Sequence, residues 1–271
     1  MILYSAVTGV SLGALFLAGV IPGLLLGLSQ MLIVAYLARK RGWLPYAVFR
    51  LEEVWRTGKR AILSFGLPLI IVGGLVVGVF TPSEAGAFAV MYALFLAILV
   101  HRSLTIRQLY RVLVNAVQLS GELLIIVGLS FALGAGLTNA HVPEFLVKLI
   151  DTIVIVDSDY LRLLTMVALA ILAGMILDPL IPVLLPIILP TLMAFNVDLL
   201  HFGVLMVIAV VIGQVTPPMA IALIIAGKIA NVDQIRVLRA NMPFFWGILA
   251  FMLVAIAVPG IATWLPEVLR D

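Results

Sequence analysis

Gly213-Gln214-Val215-Thr216-Pro217-Pro218-Met219 interrupts apolar sequence that would otherwise run unbroken from Phe202 to Gly227. Two adjacent prolines in a segment of membrane length remove two backbone donors and push the residue before each of them out of the helical region. One helix therefore has to end near Gly213 and another begin near Pro217, with Thr216 as the cap of the second and Pro217 at its first position. The stretch reads as a broken membrane helix. Interrupted backbone at bilayer depth is tolerated only where protein or a wet cavity satisfies its polar groups, and breaks of this kind are where transporters hold ions and substrates.

Working outward, the composition makes lipid the solvent. Of 271 residues, 64% are hydrophobic and 11% charged, and the mean hydropathy is +1.28, well beyond the apolar share of soluble domains. Stretches long enough to cross a bilayer alternate with short polar loops, so the expected fold is an all-α polytopic membrane protein of about six spans. The net charge of +3 comes from basic residues in loops beside spans, which the positive-inside rule explains, and no nucleic-acid partner is expected. The absence of cysteine excludes disulfide and thiolate chemistry, and three scattered histidines make no transition-metal site. The sequence presents no nucleophile with a base, no usefully paired carboxylates and no phosphate loop, so no enzyme activity is expected.

The first long apolar run, Ser11 to Ala38, holds Gly19, Pro22 and Gly23 and reads as one kinked span. Arg39, Lys40, Arg41, Arg50, Arg56, Lys59 and Arg60 follow, against Glu52 and Glu53, which makes this connector cytoplasmic. After a span from Ala61 to Val79, Thr81-Pro82-Ser83-Glu84 has the residues of a capping box, a structural role for Thr81, Pro82 and Glu84. A helix returns inward to Val100. Arg102, Arg107 and Arg111 lie on a stretch compatible with an interfacial amphipathic helix, ahead of a span from Val114 to Leu137. Glu144, Asp151, Asp157 and Asp159 then mark the outer face.

Leu161 to Leu177 and Pro179 to Phe195 are each at the short limit for a span, only Asp178 separates them, and Pro179, Pro182, Pro186 and Pro190 fill the second. Three successive crossings would need a turn of essentially one residue. The favoured alternative is a re-entrant hairpin that enters from outside and turns at Gly174 to Pro179. The broken helix then crosses inward, and a last span from Pro243 to Trp264 ends outside. A weak internal correspondence sets Pro22 against Pro243. It divides the chain into the tail of a first repeat (1–38), a basic connector (39–60) and a second repeat (61–271). The second repeat would hold the hairpin over about 161–195, the broken helix over about 202–228 and the last span over about 243–264.

In this topology hairpin tip and helix break can meet near the bilayer midplane. Helix C-terminal carbonyls around Gly174 and Gly213 carry partial negative charge and suit a sodium ion, and Asp178 and Thr216 can add oxygen ligands. The helix start at Pro217, with Pro218 and Met219, suits an anionic group of a substrate. Asp178 and Thr216 also read as simple helix caps. An acidic residue between two apolar runs is nonetheless a default functional candidate in a membrane.

Four motifs carry a resemblance: Phe16-Leu17-Ala18-Gly19-Val20-Ile21-Pro22-Gly23, Phe80-Thr81-Pro82-Ser83-Glu84-Ala85, Gly174-Met175-Ile176-Leu177-Asp178 and Gly213-Gln214-Val215-Thr216-Pro217-Pro218. Together, and in this order, they resemble the large permease subunit of tripartite ATP-independent periplasmic (TRAP) transporters, DctM-like, over essentially the whole chain. The resemblance implies an elevator-type transporter with inverted repeats in the bacterial inner membrane. It implies sodium as coupling ion, an organic acid such as a C4-dicarboxylate or a sialic acid as substrate, and no other cofactor. The implied partners, besides membrane lipid, are a small membrane subunit and a periplasmic solute-binding protein. Met219 departs from the glycine common in the family after the two prolines. The family's N-terminal half, with the first hairpin and first break, is not in the sequence, so the missing N-terminal half is a further expected partner and the chain is expected to hold one of two half-sites. A structural membrane subunit, an inactive fragment, and a sodium/carboxylate carrier that needs no binding protein stay open as alternatives.

Overall fold

The structure, a computed structural model, describes residues 1–42, 51–154, 158–177, 180–218 and 220–269. Asp178, Pro179 and Met219 of the expected site, and Arg50 and Asp157 of the charge pattern, lie outside this set. The described elements are all helical. They form two compact units, one of Met1–Lys40 with Ile126–Asp271 and one of Arg41–Ile125.

In the Arg41–Ile125 unit, α3 (Leu51–Pro68) loses a backbone donor at Pro68 and passes at once into a π-helical turn, Leu69–Gly73, and the short α4 (Gly74–Val76). The Phe80 ring lies over Gly74 and stacks on Phe88 with centroids 4.5 Å apart. Tyr92 donates its hydroxyl proton to the Leu63 carbonyl at 2.7 Å, its ring against Gly66. α5 (Pro82–Phe95) starts in a reciprocal capping box. The Thr81 amide donates to Glu84 Oε2 at 2.7 Å, and the Glu84 amide to Thr81 Oγ1 at 3.4 Å. Thr81→Ala is expected to cost about 1 kcal/mol and Thr81→Ser almost nothing, measured as the difference in unfolding midpoint. α5 ends in a second π turn, Leu96–Val100.

α6 (Ile106–Asn139) is one continuous helix of 34 residues, where an amphipathic segment and a separate span are expected from the sequence. It contains no proline to interrupt the ladder. At 1.5 Å per residue it is about 50 Å long, more than the ~30 Å hydrocarbon layer can hold.

In the other unit, α1 (Ile2–Thr8) precedes α2 (Leu12–Arg41), which carries Pro22 in its interior. α7 (Val142–Ile153), α8 (Asp159–Gly174), α9 (Leu180–Ala194), α10 (Leu199–Gln214) and α11 (Ile221–Ala230) follow in order. α12 (Gln234–Ala257) begins at Asp233, whose carboxylate accepts from the Ile235 amide at 3.2 Å, and stops before Pro259. α13 (Gly260–Val268) is a separate helix, so the apolar stretch from Pro243 to Trp264 is divided there. Gly247 of α12 lets Ile33 and Gln30 of α2 come close.

Among the described residues, four helical segments are long and apolar enough to cross a membrane: Leu12–Arg41, Pro82–Val100, Ile106–Asn139 and Gln234–Ala257. A fifth is counted if the bent pair Leu51–Gly58 and Ala61–Val76 is one span. α9, α10 and α11 are apolar but shorter.

The core of this unit is built on α8, α9 and α10. α10 has no polar face: Phe202, Leu205, Met206, Ala209 and Ile212 are all buried, against Val167 and Ala170 of α8, Leu185 and Leu192 of α9 and Met252 of α12. A helix that is apolar all round belongs inside protein or lipid. α9 carries Pro182, Pro186 and Pro190 at intervals of four. The missing amides at Pro186 and Pro190 leave the carbonyls of Pro182 and Pro186 without their usual partners one turn ahead. Gly134 of α6 faces Pro186 so closely that a Cβ there would stand 3.1 Å from the proline Cβ.

Candidate functional site

α10 is started by Asp198, whose Oδ1 accepts from the Leu200 amide at 2.8 Å. It is ended by the double proline. The Val215 amide turns back to the Ile212 carbonyl at 3.2 Å and the Thr216 amide to the Gly213 carbonyl at 3.1 Å, the tight last turn of a helix with no donors ahead. Thr216 also donates its hydroxyl proton to the Ile212 carbonyl. The expectation that Thr216 caps the following helix, with Pro217 as its first residue, is therefore corrected. α11 starts only at Ile221, after Ala220 at φ 43°, and Thr216 closes α10 instead. The physical reason is Pro218, which excludes Pro217 from the helical region and so from a first helical position. Pro217 and Pro218 lie in the turn between the two helices.

The hairpin tip meets this break. α8 ends at Gly174 with the Met175 amide bonded to the Ile171 carbonyl at 3.0 Å and the Leu177 amide to the Ala173 carbonyl at 2.8 Å. A Cβ built on Gly213 would stand 2.5 Å from the Gly174 carbonyl oxygen and 2.6 Å from its carbon. Backbone lies directly on backbone, an approach that only glycine at 213 permits.

At the opposite ends, Asp159 and Arg162 of α8, Ala194 at the end of α9 and Asp198 and His201 of α10 line one cavity. The three helices thus run between the same two ends, α8 parallel to α10 with α9 antiparallel to both. The C-terminal end of α8 is seated on the C-terminal end of α10.

Chemically, two helix C-termini converge on one point, each with the negative end of its dipole. The Thr216 oxygen, having given its proton backward, keeps lone pairs for a cation. Among the described residues no group of three or more His, Cys, Asp or Glu side chains is placed to hold a metal. The donors at this point are carbonyl and hydroxyl oxygens, a set that suits a hard cation. Gly174, Gly213 and Thr216 come together here, with Pro217 and Pro218 in the same turn. Thr81, Pro82 and Glu84 belong to the other unit, where they form the capping box.

One feature escapes the reading of the sequence: the polar cavity, of about 630 Å³, at the far ends of these helices. Arg162 is held there by Asp151 at 3.3 Å and Asp159 at 3.6 Å, with its guanidinium 5.2 Å from the centre of the Phe195 ring. His201, 3% exposed, lies 2.9 Å from the Ala255 carbonyl through Nε2. The carbonyl only accepts, so Nε2 carries the proton. The one sequence signal for this cavity is the i, i+3 spacing of Asp159 and Arg162 in a stretch that otherwise turns apolar.

Residues 1–261 match the family described as the tripartite ATP-independent periplasmic transporter, DctM component. The chain is 30% identical over 269 residues to the C4-dicarboxylate TRAP transporter large permease protein DctM of Pseudomonas aeruginosa, covering 98% of this chain and 62% of that protein. The figures are the same for the sialic acid TRAP transporter large permease protein SiaM of Vibrio cholerae. The 2,3-diketo-L-gulonate TRAP transporter large permease protein YiaN of Escherichia coli is 28% identical over 260 residues, 95% of this chain and 61% of its own length. The chain thus spans about three fifths of the length of these three relatives. With that match over nearly its whole length and apolar helices of membrane-crossing size, the chain is a multi-pass membrane protein that belongs to the DctM large-permease family of TRAP transporters.

Proposed function

We propose that the chain forms part of the large permease of a sodium-coupled TRAP transporter in the bacterial inner membrane. It imports an organic acid, of the C4-dicarboxylate or sialic-acid type, together with a small membrane subunit and a periplasmic solute-binding protein. The observation that carries this reading is the convergence of the α8 and α10 C-termini at Gly174 and Gly213, beside the Thr216 hydroxyl. Two dipole ends and an oxygen lone pair suit one sodium ion there, and the turn at Pro217, Pro218 and Met219 is the place for the substrate's carboxylate. Asp178 is the further oxygen ligand proposed for the ion. The α8–α9 hairpin is read as re-entrant, moving with α10 as the carrier element of an elevator, in the second of two inverted repeats. The rest of such a large subunit would contribute the other half-site.

Sodium is expected to raise the unfolding midpoint of the purified chain in a saturable way, potassium is not, and Thr216→Val is expected to remove most of the sodium effect while the fold persists. Equal responses to the two cations in the wild type would overturn the ion assignment. Uptake that requires an added periplasmic protein separates this reading from a carrier working alone.

A further inference from the structure

A second cavity, of about 300 Å³, lies between α7, α8 and α9. Leu146 and Ile150 of α7, Met166 and Ala170 of α8, and Leu184 of α9 wall it, and its one polar side chain among the described residues is Thr191. Thr191 is 1% exposed, and its Oγ1 is buried without a hydrogen-bond partner among the described residues. A helical threonine ordinarily satisfies itself on the carbonyl one turn back. Thr138, Thr152 and Thr165 do so in this chain, at 2.9, 2.7 and 2.8 Å. Thr191 is an exception, and a buried hydroxyl left alone is costly enough to need an explanation.

The cavity's size and chemistry indicate what would supply the missing acceptor. A dry cavity of about 150 Å³ takes one benzene, so twice that volume takes roughly a dozen carbon atoms in the same packing. The walls offer no partner to a charge. One wall of the cavity reaches the apolar surface, with its lining residue Leu169 36% exposed, so in a membrane it borders lipid. Thr191 stands seven residues from Leu184 along α9, about 10 Å, which puts the hydroxyl at one end of an elongated apolar slot.

We propose that this slot holds one acyl chain of a membrane lipid, whose ester carbonyl accepts the Thr191 proton. The site is separate from the Gly174–Gly213 contact and does not depend on the sodium assignment. An acyl chain here would wedge between α7 and both arms of the hairpin, so its presence would tie the hairpin to α7.

The test uses the purified full chain with two probes, methyl decanoate and decane, which share a ten-carbon chain and differ in the ester. Methyl decanoate is expected to raise the unfolding midpoint saturably, with decane about tenfold weaker in half-saturating concentration, the equivalent of one hydrogen bond to an otherwise unsatisfied group. Thr191→Val should bring the two probes together, and Ala170→Phe, which fills the slot, should abolish both responses. Native mass spectrometry should find a phospholipid retained by the wild type and lost from Ala170→Phe. No saturable response, equal responses to the two probes in the wild type, or a response to methyl decanoate without any retained phospholipid would each overturn the proposal. If Ala170→Phe does not fold, the ratio between the two probes in Thr191→Val decides the question.

Discussion

Gly213→Ala lowers the stability of the chain by more than 1–3 kcal/mol and abolishes its response to sodium, while Gly174→Ala leaves the fold nearly intact: this is the expected result of adding one methyl group on either side of the same contact. Replacing glycine by alanine inside a helix gains at most about 1 kcal/mol of helix propensity. At Gly213 that gain is overwhelmed, because the new Cβ would stand 2.5 Å from the Gly174 carbonyl oxygen and 3.0 Å from its Cα. Those atoms are backbone and cannot rotate away. The two helix ends would have to separate, and overpacking of this kind costs at least the usual 1–3 kcal/mol. At Gly174 the nearest atom to an added Cβ is Leu180 Cδ2 at 3.0 Å, the tip of a flexible side chain. Rotamer adjustment accommodates it, and the propensity gain offsets most of the cost. Thermal unfolding with and without sodium measures both. A Gly213→Ala chain as stable as the wild type would show that the helix ends are not held in contact.

Tyr4 is the second position where a large effect is expected. It is fully buried, and it donates its hydroxyl proton to the Leu199 carbonyl at 2.6 Å, while its ring lies on Gly203. The short α1 is thereby fastened to the first turn of α10. Truncation of a buried aromatic costs about 3–5 kcal/mol, so Tyr4→Ala is expected to release α1 and lower the unfolding midpoint sharply. Tyr4→Phe removes one hydrogen bond and is expected to cost about 1 kcal/mol. Gly203→Ala would push a Cβ to 2.7 Å from the tyrosine ring and 2.8 Å from Leu15. The ring cannot retreat without breaking the bond to Leu199, so this variant is expected to be destabilised as well. The two sites are in contact and their effects should not add. Combined with Tyr4→Leu, Gly203→Ala is expected to cost less than it does alone. Additive losses in that double variant would show that Tyr4 and Gly203 do not share a contact.

The all-helical class is legible in the sequence because membrane-length apolar runs leave the backbone no other way to satisfy its donors and acceptors. The end of α10 is legible for the same kind of reason: no helix runs through Pro217-Pro218. The start of α11 is not, since neither proline occupies it and the helix resumes only after Ala220 at positive φ. Local residue types do not encode where a turn of this length comes to rest. Pairing of Gly174 with Gly213 follows from the hairpin reading, but the closeness of the contact depends on how α8 packs along α10, which no local pattern carries. The cavity around Arg162 combines residues from α7, α8, α9 and α10 with Pro259, far apart along the chain from Val147 to Pro259, and the solitary behaviour of Thr191 exists only in three dimensions. Continuity of α6 is missed because basic residues at its start read as an interface, whereas the backbone has no reason to break there.

The three prolines of α9 give the hairpin arms unequal mechanics. α8 has no proline between Asp159 and Gly174 and resists bending as a complete ladder does. α9, lacking the bonds that Pro186 and Pro190 would have closed, has its weak points stacked on one side, the side that meets Gly134. A load applied at the tip is therefore taken up by curvature of the second arm alone, so the tip swings along one preferred direction, like a stiff blade backed by a spring.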